Sequence, residues 1–575
     1  MKKLYLLSVV LCFTLQAQNP NTFAKFLDKN KVNARIHTVN NKFCNIFGNG
    51  QNGYEVPKGQ GTHAQFANSI WIGGFDNQGK LHMSANTYRQ AGADFWPGPL
   101  DTSNIGAFTP SLTAPYNKLW KVDCNEIFSF VNAFSSGSVA ANTYTIPPDI
   151  LTYPAKGLGK FQQYFEPFYD PNNNGQYNPS GEGDYPIIKG HQQILSIYND
   201  NYAVHTEAAA PAMGLEIHER NYSYYDPNLP DSMKAVNYST FHYYTIYNRS
   251  NLTYDSVFIA DWSDVDLGGN YADDFVGTDT VNNIVYCYNG DGFDESGVLP
   301  GYGAMIPVTS NAILKTPCTN DGIDNDHDGL IDELGEQFIM NRSMYYLNNI
   351  GPVIPAMTNP DSAIHYYRFM NAMWKDGTPL TYGGNGYGGN NKTNYLFSGN
   401  PATNSGWTEA SANNSPGDRR IIYSSGPFTF PAKSKIEWGY VVVYSQDTSQ
   451  SINTITQYNS RVQRDVRNVR WYDQTHQSPQ CMPPLTIGLQ ENLNHVLQAL
   501  LFPNPAQSKL HVRLGQTLSL AEIRITDLCG RTLRESQIEN ADEGEVDIQS
   551  LDAGIYLLEI KSGSLSGSFK FIKVD

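Results

Sequence analysis

Lys509-Leu510-His511-Val512-Arg513-Leu514 sets an apolar side chain at every second position. In an extended chain successive side chains point to opposite faces. Leu510, Val512 and Leu514 therefore share the buried face of a strand, while Lys509, His511 and Arg513 face water. The pattern recurs downstream. Ile523 and Ile525 alternate and lead into Asp527-Leu528-Cys529-Gly530-Arg531, where Gly530 can take the positive φ of a tight turn. Val546 and Ile548 follow, then Leu551-Asp552-Ala553-Gly554-Ile555-Tyr556-Leu557, then Phe569 and Phe571 about Lys570. Alternating runs separated by turn residues predict a small antiparallel β-sandwich of six or seven strands over residues 501–575.

Upstream, residues 474–500 hold Pro479, Pro483 and Pro484 with no sustained period and are expected to be a linker. Before them, Ile452, Ile455, Tyr458, Val462, Val466 and Val469 recur at three and four, the apolar stripe of one helix near 450–470. Arg461, Arg464, Arg467 and Arg470 are read as its solvated face. Residues 19–473 form a large β-rich body of one or more domains. The 37 tyrosines, 27 phenylalanines, 49 glycines and 32 prolines of the whole chain suit many short strands and turns. Ser69–Gly74, Phe241–Asn248, Ser256–Trp262 and Lys435–Tyr444 are strand-like, and Tyr440-Val441-Val442-Val443-Tyr444 reads as a strand buried on both faces. The fold class is thus mainly β.

The first residues read as a signal peptide, 1–18: Lys2 and Lys3, an apolar stretch from Leu4 to Leu15, then the small Ala17. That stretch falls short of the ~20 residues needed to span a bilayer, and no later segment reaches it, so no transmembrane segment is expected. A net charge of −16 disfavours nucleic acid and anionic lipid and suits divalent cations. Beyond the leader lie Cys44, Cys124, Cys287, Cys318, Cys481 and Cys529. Their wide, irregular spacing argues against zinc, and export permits disulfides.

The ordered set Pro503-Asn504-Pro505-Ala506, Asp527-Leu528-Cys529-Gly530-Arg531, Leu551 to Tyr556 and the Lys-bearing last strand resembles the type IX secretion C-terminal sorting domain. The resemblance implies passage through the type IX translocon, removal of the domain by a sorting protease and often attachment to lipopolysaccharide. The protein would work extracellularly or at the outer-membrane surface. In the body, several stretches are similar to an uncharacterised family of large secreted proteins. They are Ile70-Trp71-Ile72-Gly73-Gly74, Thr87-Tyr88-Arg89-Gln90, Phe95-Trp96-Pro97-Gly98-Pro99, Asp264-Val265-Asp266-Leu267-Gly268 and Ser425-Gly426-Pro427-Phe428-Thr429. That resemblance implies location and carries no activity.

Chemistry concentrates in acidic loops. In Asp324-Asn325-Asp326-His327-Asp328-Gly329, carboxylates at positions 1, 3 and 5 can converge when Gly329 allows a tight turn. Leu330 would add its carbonyl, with Asp332 and Glu336 behind it. Hard oxygen ligands at this density favour calcium. Asp170-Pro171-Asn172-Asn173-Asn174-Gly175 repeats the spacing with Asp170, Asn172 and Asn174, the Gln176 carbonyl, and Glu182 one step past position 12. Asp264, Asp266, Asp273, Asp274 and Asp279 form a third cluster, which could be a metal site or a glycosidase pair but is read as turns. GxSxG, HExxH and P-loop templates are absent, and no catalytic residue is assigned. Trp71, Trp96 and Trp262 are read as core rather than sugar platforms. The expectation is a calcium-braced surface or secreted protein for adhesion or binding of glycan or protein. The alternative is a secreted hydrolase acting on polysaccharide with an Asp/Glu pair.

Overall fold

The computed structural model describes residues 23–44, 53–88, 92–106, 110–157, 161, 163–317, 339–348, 354–446, 458–476, 481, 499–502, 506–526, 532–552, 554–562 and 565–574. The chain divides into two compact units, Met1–Pro483 and Pro484–Asp575. Strand accounts for 40% and helix for 14%, so the protein is mainly β as expected.

The body is built on two antiparallel sheets. The larger has nine strands. Eight run in the order Asp274–Asp279, Ile284–Asn289, Val308–Lys315, Lys435–Ser445, Ser239–Asn248, Leu215–Ser223, Gln192–Asn199 and Trp96–Pro97, and Trp120–Asp123 also pairs with Gln192–Asn199. The smaller has the order Arg342–Leu347, Arg419–Phe430, Tyr254–Val265, Ala67–Phe75 and Leu81–Ser84. One core joins them. Ile70, Ile72 and Ile259 from the smaller sheet share it with Ile217, Tyr244, Ile246 and Val442 from the larger. The four strand-like stretches read in the body all fall within these strands.

The larger sheet is covered on its other face too, which explains the unbroken apolar run Tyr440–Tyr444. Val441 and Val443 pack with Phe241 and Tyr222 against Val462, Val466 and Val469 of the helix Tyr458–Thr475. The arginine row on that helix is not wholly solvated. A spacing of three falls about 60° short of a full turn at each step, so the row drifts around the axis. By Arg470 it has reached the sheet. Arg470 is buried and donates to the carbonyls of Ile313 (2.9 Å), Asn282 (2.6 Å) and Asn283 (3.2 Å).

The stretch expected to be a linker begins inside this helix. It also contains Cys481, which is disulfide-bonded to Cys124 of the helix Cys124–Ser135, while Cys44 and Cys287 are free and buried. A disulfide of this kind suits an exported protein.

The C-terminal unit has five described strands rather than six or seven: Ala499–Phe502, Lys509–Thr526, Thr532–Asp547, Gly554–Ser562 and Leu565–Lys573. Lys509–Thr526 is long enough to serve two partners on one edge. His511–Leu514 pairs with Ala499–Phe502, and Glu522–Thr526 pairs with Gly554–Ser562. Leu510, Val512, Leu514, Ile523 and Ile525 are buried, as their alternation requires. The Asp527–Arg531 turn lies outside the described residues.

Candidate functional site

Register in the smaller sheet assembles the site. Asp264 lies opposite Arg420, and Arg420 lies opposite Tyr346. Residues directly opposite in antiparallel strands point to the same face, so the three make one row on the outer side. Asp266 follows directly after the strand Tyr254–Val265, and Asp418 comes directly before Arg419–Phe430. The two strand ends thus bring Asp264, Asp266 and Asp418 together, with ligand oxygens all within 4.8 Å of one another. Asp264 is buried and the other two are half-buried.

Arg420 Nη2 lies 3.1 Å from Asp264 Oδ2, and its Nη1 pairs with Asp418. Its Nε donates to Tyr88 Oη (2.9 Å), and Tyr88 in turn donates to Asp264 Oδ2. Asp264 Oδ1 is buried without a hydrogen-bond partner. A buried carboxylate oxygen left unpaired is costly. Burial pushes Asp264 up to about 6 against the pull of the Arg420 guanidinium. Burial, then Asp264 and Asp418, push Asp266 well above the usual carboxylate range. With all three ionised the group would carry two negative charges beyond what the one guanidinium offsets, and burial and mutual repulsion oppose that state unless a cation is bound. All-oxygen, half-buried ligands of this kind suit Ca²⁺ or Mg²⁺ over softer metals.

The loop from Asp266 to Asp274 is fixed by its neighbours. Asp294 accepts from the N–H groups of Gly269 (3.0 Å), Asn270 (3.3 Å) and Tyr302 (2.6 Å), and Asp274 accepts from Leu267 N (3.0 Å). Gly268 is obligatory there: its φ is +86°, and a Cβ would meet Asp294 Oδ2 at 1.7 Å. Asp274 and Asp294 therefore hold the loop, and Asp273 and Asp274 both lie outside the group of three. Asp279 caps a separate turn, accepting from Val281 N and Asn282 N. On the outer face of the same sheet, Glu207 accepts from Tyr366 Oη (3.2 Å) and Thr87 Oγ1, and its Oε2 is unpartnered. Burial pushes its carboxyl up to about 7. Trp71 and Trp262 stack at 6.1 Å beneath this region as fully buried core, as expected, and Trp96 is buried as well.

The Asp170 loop folds on itself. Asp170 accepts from Asn174 N (3.2 Å) and Gly175 N (2.7 Å), Asn172 from Asn174 N (3.1 Å), and Asn174 from Gln176 N (2.7 Å). Asn174 Nδ2 donates to Glu182 Oε2 (2.9 Å). Asp324, Asp326, Asp328, Leu330, Asp332 and Glu336 lie outside the described residues. Sequence reasoning missed Asp418, Arg420 and Tyr88 as partners of Asp264. Arg420 stands 156 residues from it, and no local spacing signals the encounter.

Comparison with known proteins bears on the C-terminal unit. Residues 500–574 match the secretion system C-terminal sorting domain family. No curated protein matches the chain. Among solved structures, a polysaccharide lyase aligns at 7% identity and a TM-score of 0.16, over 62% of this chain and 34% of that protein. The chain therefore spans about a third of that protein's length, and a likeness this slight carries no argument. Among the described residues no helix is long and apolar enough to cross a membrane. The C-terminal unit is a type IX secretion sorting domain, engaged by that secretion machinery, and it marks a protein exported to the cell surface or the extracellular space.

Proposed function

We propose that the exported body is a binding protein, for glycan or protein, braced by divalent cations, calcium first among them. The observation that carries this reading is the convergence of Asp264, Asp266 and Asp418 around an unpartnered buried oxygen. A cation there converts mutual repulsion into coordination and ties together two strand ends of the smaller sheet. The Asp170 and Asp324 loops would add further calcium sites, the Asp170 loop the weaker for its fewer carboxylates.

The trio does not favour the hydrolase. The Arg420 guanidinium pairs with both Asp264 and Asp418, whereas a glycosidase needs a pair of carboxyl groups flanking the scissile bond. Asp264 is also held by Arg420 and Tyr88, which ties up one of its oxygens.

The test is a glycan and protein array probed with the full-length protein in millimolar calcium and again with chelator. Binding that weakens with chelator is expected. Polysaccharide cleavage that disappears in Asp266→Asn would contradict the reading.

A further inference from the structure

A lysine and a glutamate meet in the core between the two sheets of the body. Glu219 of the strand Leu215–Ser223 lies opposite Tyr244 of Ser239–Asn248, so their side chains share one face of the larger sheet. Lys42 comes from the other side: its backbone pairs with Asn68 of the strand Ala67–Phe75 in the smaller sheet. Lys42 Nζ stands 3.2 Å from Glu219 Oε1, and the two side chains are 0% and 1% exposed.

Tyr244 Oη lies 2.6 Å from Lys42 Nζ and 3.5 Å from Glu219 Oε1, so one hydroxyl bridges the amine and the carboxyl group. Tyr198 Oη donates to the other oxygen, Oε2, at 2.9 Å. Burial, and after it the Glu219 charge, pushes both tyrosines well above their ordinary range, so both hydroxyls keep their protons. The Tyr244 and Tyr440 rings wall Nζ, at 5.3 and 5.9 Å from their centroids. An ion pair taken wholly out of water is weak evidence of a stabilising device. Held this close, an amine and a carboxyl group react as one molecule, and well-oriented intramolecular reactants reach effective molarities of about 10⁵–10⁸ M.

We propose that Lys42 and Glu219 form an intramolecular isopeptide bond in the folded protein. A proton passes from Nζ to Oε1, leaving an amine beside a carboxyl group. The Nζ lone pair attacks Cδ, and Tyr198 stabilises the oxyanion that develops on Oε2. Tyr244 takes the second proton from Nζ and returns one to Oε1. The Cδ–Oε1 bond breaks, Oε1 leaves as water, and the Nζ–Cδ amide remains. The step needs no co-reactant. The bond joins the larger sheet to a segment paired with the smaller one, across 177 residues of chain. It goes beyond the binding reading above and does not depend on the cation at Asp264.

The test is peptide mapping of the full-length protein by mass spectrometry, after reduction of its disulfide. Trypsin should release the Lys42 and Glu219 segments as one branched peptide, lighter by one water than the two segments together. Lys42→Met should abolish it. Tyr244→Phe, which keeps the ring, should leave most of the chain unlinked, because a positioned proton relay contributes about 10²–10⁴-fold. Recovery of the two segments only as separate peptides from the folded parent overturns the proposal, whatever the variants do. A link as complete in Tyr244→Phe as in the parent, or one that persists in Lys42→Met, also overturns it.

Discussion

The Asp170 loop and the Asp264 cluster gather oxygen atoms by opposite routes. The loop takes them from one short stretch of chain and satisfies them with its own backbone N–H groups. The cluster takes them from two strand ends far apart in sequence, buries Asp264 and half-buries Asp266 and Asp418, and leaves Asp264 Oδ1 without a partner. The first is complete as a turn. The second is a concentration of negative charge that folding creates and that Arg420 only partly offsets. The lesson is that ligand spacing in the sequence and demand for a cation in the fold are different quantities.

The largest effect should come from removing the group that offsets the charge. Arg420→Ala leaves Asp264 buried with its ion partner gone, and breaking such a pair costs about 3–5 kcal/mol. Denaturant unfolding in chelator measures it. A loss below 1 kcal/mol would erase the contrast with the loop.

Glu207 separates burial from clustering, because it is a buried carboxylate outside any such group. Its carboxyl is pushed up from 4.5 to about 7. The neutral form therefore contributes stability that is fully present below pH 4.5 and lost as the pH rises through about 7. Glu207→Gln removes that loss, so above pH 7 the variant should be the more stable by about 1–3 kcal/mol. Melting temperature against pH reads this out. A constant offset between variant and parent from pH 4 to 9 would show that Glu207 is not titrating.

Asp170→Asn should do least. The amide still offers an oxygen to one of the two N–H groups that Asp170 accepts from, and losing the other bond in a half-buried turn costs about 0.5–1.5 kcal/mol. A loss near 2 kcal/mol in calcium, absent in chelator, would place the loop beside the cluster as a strong site.

The strands were legible because alternation and unbroken apolar runs are local signals. Leu510, Val512 and Leu514 lie on one buried face, and Tyr440–Tyr444 is covered on both. Trp71 and Trp262 were read as core on size and apolarity alone. Arg470 was misplaced because a three-residue period drifts around a helix. Among its described residues the C-terminal unit has five strands against the six or seven expected, because Lys509–Thr526 runs through an irregularity between Arg513 and Leu518 without ending. The carboxylate trio was half visible. Asp264 and Asp266 stood out as acidic, but spacing alone made them a turn. Only the register Asp264 to Arg420 brings Asp418 beside them, and strand register over such separations has no sequence signature.

Calorimetric titration of calcium into chelator-stripped full-length protein, against Asp266→Asn/Asp418→Asn, tests the central claim most directly. Binding to the folded state alone stabilises by RT ln(1 + [L]/Kd), about 2.7 kcal/mol at a hundredfold excess over Kd. The parent should show one binding event that the double variant lacks, with a matching part of the calcium-dependent rise in melting temperature lost. Identical isotherms and identical melting shifts in the two proteins would contradict it.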